Sequence, residues 1–262
     1  MDIIVCIKQV PDVQEVHISP DTNTLIREGV PSVINPFDLN AIEEALRLKE
    51  RYGGKVVALS MGPPQVEESL REAISMGVTE GVLLQDKAFR GADTLATSFT
   101  LAKGIKKLGD FDLVLCGKQA IDGETAQVGP ELGEMLNIPV VSYVRKIDYQ
   151  PQDSMLRVER VFEDGYEVVE VPLPCLLTVT KEINEPRCAT LRGVLLARNK
   201  EITVWGIKDL GISEDLVGIL GSPTKVTEIF TPPKKPNREI LEGDIEEIVD
   251  KLVTRLRDRK VI

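Results

Sequence analysis

The sequence predicts an α/β fold with a mostly parallel sheet, on three observations. Short apolar runs alternate with helical patterns through residue 144, strand-turn-strand grammar follows, and an amphipathic segment closes the chain behind a proline-rich stretch. The runs IIVCIKQV (3 to 10), VVALSMG (56 to 62), VLLQD (82 to 86), LVLCG (113 to 117) and PVVSYV (139 to 144) read as strands. Helices are expected between them, from about 38 to 51, 65 to 76, 93 to 107 and 126 to 136. Strands alternating with helices imply a parallel sheet covered on both faces.

The opening MDIIVCIKQV has Asp2 before its apolar run and no basic segment or small-residue cleavage site, so it reads as a first strand rather than a leader. In the helix from 38, Ala41, Ile42, Ala45, Leu46 and Leu48 are apolar while Glu43, Glu44, Arg47, Lys49 and Glu50 are charged. Asn35-Pro36 marks its start, with Asp38 as candidate N-cap. Beyond 144, Asp164-Gly165 between two alternating runs (161 to 171) signals a β-hairpin, and CLLTVT (175 to 180) is expected to return to the sheet. Residues 184 to 201 read as a loop entering a short helix rather than another sheet layer. From Gly221 to Gly243, Pro223, Pro232, Pro233 and Pro236 predict an extended stretch. The final DIEEIVDKLVTRLRDRKVI places Ile245, Ile248, Val249, Leu252, Val253 and Leu256 on one helix face, with Asp244 and Glu247 at capping-box spacing. Such a helix on an extended arm needs a surface to bury against, and a partner subunit is the favoured one.

Composition narrows the function. A net charge of −10 and 4% aromatic residues disfavour nucleic acid as a partner. No run approaches the length of a membrane span. Cys6, Cys116, Cys175 and Cys188 lie far apart, as expected of free thiols in a reducing cytoplasm, and with His17 as the one histidine they supply no metal-ligand cluster. His17 reads as a hairpin residue. No G-x-x-x-x-G-K-[ST] occurs, and no G-x-G-x-x-G follows the first strand, which disfavours a standard kinase or a simple dehydrogenase. With one histidine most acid-base schemes also fall away, so any chemistry belongs to a cofactor.

In an open parallel sheet the ligand sits at the carboxyl ends of the strands. The richest loop there is CGKQAIDGETAQVGPELGEML (116 to 136), with a helix expected to begin near Thr125 or Ala126. Its glycines let backbone approach a ligand, and a helix start offers N–H groups to phosphate. Thr125 and Gln127 can add hydrogen bonds to phosphate, and Asp122 can take ribose or loop N–H donors. Taken alone, Asp122-Gly123-Glu124-Thr125 also reads as a turn and helix cap, and Asp93-Thr94 as the cap of the helix at 93.

Together these loops resemble one family, the β subunits of electron transfer flavoproteins. The resemblance runs from VCIKQVPD through INPFDLNAIEEALRLKE (34 to 50), MGPPQ (61 to 65), GKQAIDGETAQVGPELGE (117 to 134) and INEPRCATL (183 to 191) into the C-terminal arm. It implies a sheet like that of the adenine nucleotide α-hydrolases, broadly Rossmann-like, with added antiparallel strands and an extended arm embracing an α subunit in a heterodimer. By the same resemblance a nucleotide is held by Cys6, Asn35, Pro36, Phe37, Asp38, Met61 and the stretch Asp122 to Gly133, which includes Gly123, Glu124, Thr125, Ala126, Gln127, Val128 and Gly129. The expected division is a nucleotide-binding domain over 1–182, a recognition loop and following segment over 183–220, and an arm over 221–262.

The family has two branches. In one the β-subunit ligand is a structural AMP; in the electron-bifurcating branch it is a second FAD that takes two electrons from NADH and sends them singly along two routes. AFRGADTLATS (88 to 98) and DGETAQVGP (122 to 130) resemble the bifurcating pattern. Gly91, Ala92, Asp93, Thr94 and Thr97 are then expected to admit and hydrogen-bond a flavin. The resemblance also places Leu191 at the anchor of a loop that docks on a flavoprotein dehydrogenase of the acyl-CoA dehydrogenase or a related type, with a low-potential acceptor such as ferredoxin on the other route. The alternative for Leu191 is a buried helix-entry residue. The alternatives are a carrier subunit with structural AMP and a nucleotide-sensing module without redox work.

Overall fold

Four consecutive apolar residues, Ile3–Cys6 (β1), form the middle strand of the parallel part of the sheet, paired in parallel with Val56–Met61 (β6) on one side and Leu113–Gly117 (β8) on the other. The structure is a computed structural model that describes residues 1–12, 17–18, 25–26, 31–225, 227 and 239–262. Its large sheet also takes in Glu80–Leu84 (β7), Val140–Gln150 (β9), Met155–Phe162 (β10), Gly165–Pro172 (β11), Cys175–Val179 (β12) and Thr203–Trp205 (β13), in the order β11-β10-β9-β12-β8-β1-β6-β7-β13. From β9 to β13 every pairing is parallel, and β10 and β11 extend the β9 edge as the antiparallel hairpin expected around Asp164-Gly165. Two short antiparallel pairs lie apart from it: Gln9–Pro11 (β2) with Ser32–Ile34 (β5), and His17–Ile18 (β3) with Leu25–Ile26 (β4).

Helices cover both faces because alternate strand residues point to opposite sides. Ile3 and Val5 belong to a core with Ala41, Ile42 and Leu46 of Pro36–Tyr52 (α1) and Leu70 and Ala73 of Val66–Met76 (α2). Ile4 and Cys6 belong to a second core with Leu101 and Ile105 of Thr94–Leu108 (α3) and Leu132 of Val128–Leu136 (α4). Cys6, Cys116 and Cys175 are buried free thiols, and Cys188 is exposed.

Two expectations change, and one strand falls where none was expected. Residues 184 to 201 do hold a loop and a short helix, Leu191–Asn199 (α5), but directly afterwards β13 joins the sheet beside β7. Three residues are too few for an alternating pattern to show. The strand expected at 139 to 144 runs on to Gln150, because its second half is paired with β10. Glu43 and Glu44 on the charged side of α1 are buried, at 3% and 8% exposure.

The chain divides into two compact units, Met1–Lys225 and Val226–Ile262. Before the boundary, Ile207–Leu210 (α6) follows β13. Most of the proline-rich stretch after 225 lies outside the described residues. In the second unit Ile245–Asp258 (α7) starts at Asp244, whose carboxylate accepts the Glu247 N–H at 2.9 Å, and its Ile245, Val249 and Leu252 are exposed. No described helix is long and apolar enough to cross a membrane.

Candidate functional site

After β1 the chain builds outward through β6 and β7, then returns to place β8 on the opposite side of β1. The order therefore switches direction between β1 and β8, and a crevice opens at the carboxyl ends of strands at such a switch. Cys6 and Cys116 face each other in register at those ends. The neighbouring Cys6 thiol, together with burial, holds Cys116 well above the usual thiol range. Cys6 and Cys116, both buried, thus form the floor of the crevice.

Above the floor, the start of α1 is fastened to both strands. Asn35, not Asp38, is the N-cap of α1, with Pro36 in the first helical position. Asp38 is the third helical residue, and its carboxylate turns inward: one oxygen accepts the Lys8 N–H at 2.8 Å, the other the Gly117 N–H at 3.1 Å. The Asn35 amide donates to the Gln119 carbonyl at 2.9 Å and its oxygen accepts the Ile121 N–H at 3.2 Å. Position 117 has to be glycine for this approach, since a Cβ there would fall 2.7 Å from Phe37 Cβ and inside contact distance of the Asp38 carboxylate. Burial pushes Asp38 up to about 7, against the opposing pull of its bonds to Lys8, Asn35 and Gly117.

The loop after β8 bends over this latch. Lys8 Nζ binds the Asp122 carboxylate at 2.7 Å, so Asp122 already has a cation. Glu124 and Ala126 adopt left-handed backbone, with φ of 53° and 54°. The helix begins at Val128, two residues later than expected, because Ala126 interrupts the right-handed run. The N–H groups of Val128 and Gly129 meet no acceptor among the described residues, and Pro130 has none to donate. Gly129 brings this helix start close to the sheet, where a Cβ would lie 2.5 Å from the Thr178 methyl. Free donors in the first turn of a helix are suited to a phosphate.

The second expected segment meets the first. The Thr94 hydroxyl donates to the Glu131 carboxylate at 3.0 Å and lies 3.3 Å from the Gln127 side-chain oxygen. Ser98 donates to the other Glu131 oxygen at 3.0 Å. Asp93 is the N-cap of α3, accepting the Ala96 N–H at 3.0 Å, and its second oxygen takes the Thr224 N–H at 3.0 Å and hydroxyl at 2.8 Å. Burial opposes its ionised form, but these bonds prevail and hold it below the usual carboxylate range. Its carboxylate is therefore occupied by protein donors. Gly91, with φ of 69°, lies against Ile219; Ala92 and Thr97 are half-buried. Met61 closes β6 and packs against the second core.

Cys6, Asn35, Pro36, Phe37, Asp38, Met61, the segment from Gly91 to Thr97 and the loop from Asp122 to Gly129 therefore gather at one end of the sheet. Sequence reasoning missed Lys8 and Ser98, and it took Glu131 only as part of the stretch Asp122 to Gly133, with no role of its own. Lys8 had a readable signal, a cation two residues past the first strand.

A family model described as the electron transfer flavoprotein domain matches residues 22–210. The chain is 53% identical, over the whole of both chains, to the electron transfer flavoprotein subunit beta of Thermoanaerobacterium thermosaccharolyticum. The chain belongs to the electron transfer flavoprotein family. It is also 50% identical, again over the whole of both chains, to the caffeyl-CoA reductase-Etf complex subunit CarD of Acetobacterium woodii. Protein FixA of Azotobacter vinelandii is 43% identical, with 93% of this chain and 89% of the relative covered.

In this electron transfer flavoprotein chain Leu191 stands apart from the crevice. Thr190 is the N-cap of α5, its hydroxyl accepting the Gly193 N–H at 3.0 Å, and Leu191 is the first helical residue, 79% exposed. The buried helix-entry reading is thereby excluded. Leu195 and Leu196, at 53% and 61%, extend an apolar outer face.

Proposed function

We propose that this chain is the β subunit of a heterodimeric, electron-bifurcating electron transfer flavoprotein, holding FAD at the β1/β8 crevice. The observation that carries the reading is the junction of the two loops singled out for the flavin, where Thr94 meets Gln127 and Glu131 beside the unpaired N–H groups of Val128 and Gly129. The name of the Acetobacterium relative, a subunit of a reductase-Etf complex, is in keeping with it.

FAD bound there supplies two-electron oxidation of NADH and one-electron delivery to the α-subunit FAD and to a low-potential acceptor such as ferredoxin. The chain's part is to bind and orient. The first turn of α4 directs two N–H groups at a phosphate, Thr94 and Thr97 provide hydroxyls at the α3 start, and the Asp38 latch keeps the floor in register. Leu191 and the outer face of α5 then dock a flavoprotein dehydrogenase of the acyl-CoA dehydrogenase type, since an exposed leucine at a loop-helix junction can fill a partner's pocket.

Nucleotide released by heat from the purified heterodimer tests this. Two FAD per dimer and no AMP is the expected result. One FAD with one AMP would make the chain a conventional carrier subunit with a structural nucleotide, and absence of flavin would make it a nucleotide-sensing module.

A further inference from the structure

Residues 184 to 190 form no helix or strand, yet side chains bind them tightly to α1. The Asn40 amide donates to the Asn184 carbonyl at 2.9 Å, and the Asn184 amide donates back to the Asn40 carbonyl and to Glu44, both at 3.0 Å. Three residues on, Arg187 donates to Glu43 three times, its N–H at 3.1 Å and its Nε at 2.7 Å to one carboxylate oxygen and its Nη2 at 3.2 Å to the other. The other edge of the guanidinium binds both carboxylate oxygens of Glu50. Glu43 and Glu50 are two helical turns apart on one side of α1, a span that the planar fork of arginine bridges and an ammonium does not. Glu43 is only 3% exposed, and a carboxylate so buried is retained with paired cations.

The far end of the docking helix is held by a second arginine. Arg71 of α2 donates to the carbonyls of Ala197 at 2.6 Å and Lys200 at 3.1 Å, closing the C-terminus of α5. Gly193 lies against the Ser75 carbonyl, too close for a side chain. The inner side of α5 is thus fixed on α2 while Leu191, Leu195 and Leu196 face outward.

We propose that Arg187 is a positioning residue for partner docking: by clamping the 184–190 segment to Glu43 and Glu50 it presents Leu191 in one geometry before the partner arrives. The inference rests on the docking reading of Leu191. Its physical basis is that a preformed apolar face avoids the ordering cost that a loose loop incurs on association.

The heterodimer with Arg187→Gln, Arg187→Lys, Glu50→Gln, Leu191→Ala and the Arg187→Gln/Leu191→Ala pair tests it. Amide exchange in 185 to 196 should rise about tenfold or more in Arg187→Gln and less in Arg187→Lys and Glu50→Gln, with β1 and β8 unchanged. Binding is measured with caffeyl-CoA reductase of Acetobacterium woodii as the probe. Arg187→Gln should weaken it about tenfold when Leu191 is present and little when position 191 is already alanine, because the arginine acts through the leucine. Bound nucleotide should not change. Unchanged exchange in Arg187→Gln, or binding losses that simply add, would overturn the proposal. A loosened segment together with wild-type binding by Leu191→Ala would instead overturn the docking reading on which it rests.

Discussion

Replacing Asp38 by asparagine tests the physics at the base of the crevice. The two backbone N–H donors, from Lys8 and Gly117, bind different carboxylate oxygens, and burial raises the group from 3.8 to about 7. The unfolded chain releases this proton near the ordinary value while the folded chain keeps it until about 7, so the folded state binds more protons in between. Stability from this group is therefore lost as pH rises through that window, by about 4 kcal/mol if the whole shift is realised, at about 1.4 kcal/mol per unit. Asparagine does not titrate, but its NH2 group faces one of the two donors and leaves it unsatisfied, which costs about 1–3 kcal/mol. Asp38→Asn should accordingly be neutral or destabilising at about pH 5 and gain on wild type as pH approaches about 8. Urea unfolding of both proteins across that range gives the difference directly. Glu43, Glu44 and Glu50 also titrate abnormally, but they are common to both proteins and drop out of it. A difference that stays flat, or that turns increasingly against asparagine as pH rises, would show that the N–H bonds outweigh burial and refute the reasoning.

Gly117→Ala should cost about 1–3 kcal/mol or more and lower nucleotide content, because the added methyl enters the space of Phe37 and the Asp38 carboxylate; unchanged unfolding midpoint and nucleotide content would count against the latch. Leu191→Ala, at an exposed position, should change stability by no more than about 0.5 kcal/mol while weakening dehydrogenase binding about 5- to 150-fold, and titration calorimetry with thermal melts of the same sample checks both. Deleting the chain after Lys225 removes α7 with its exposed Ile245, Val249 and Leu252, so affinity for the α subunit should fall; a truncated chain that pairs as tightly as the full one would sink the arm assignment.

The sequence by itself determined the layered α/β architecture, because strand and helix periods are local and each apolar run declares how many of its faces are covered. The hairpin at Asp164-Gly165, the amphipathic last helix and the family motifs are equally local, and the described segments follow them closely. What tertiary structure decided was the use made of polar residues. Asp38 has the residue type and approximate place of an N-cap, yet its partners, Lys8 and Gly117, are 30 and 79 residues away. Asp93 could equally have been a cap or a ligand contact, and only the approach of Thr224 and Ala96 shows its carboxylate satisfied within the protein. Glu43 and Glu44 read as a solvated helix face until Asn184 and Arg187, some 140 residues on, come down over them. Leu191 could have been an exposed anchor or a buried helix entry, and it stands in solvent, because Gly193 and Arg71 fix the other side of its helix against α2. Hydrophobic period is written along the chain, whereas the partner of a buried charge is chosen by topology, which brings distant segments together only once the sheet has formed.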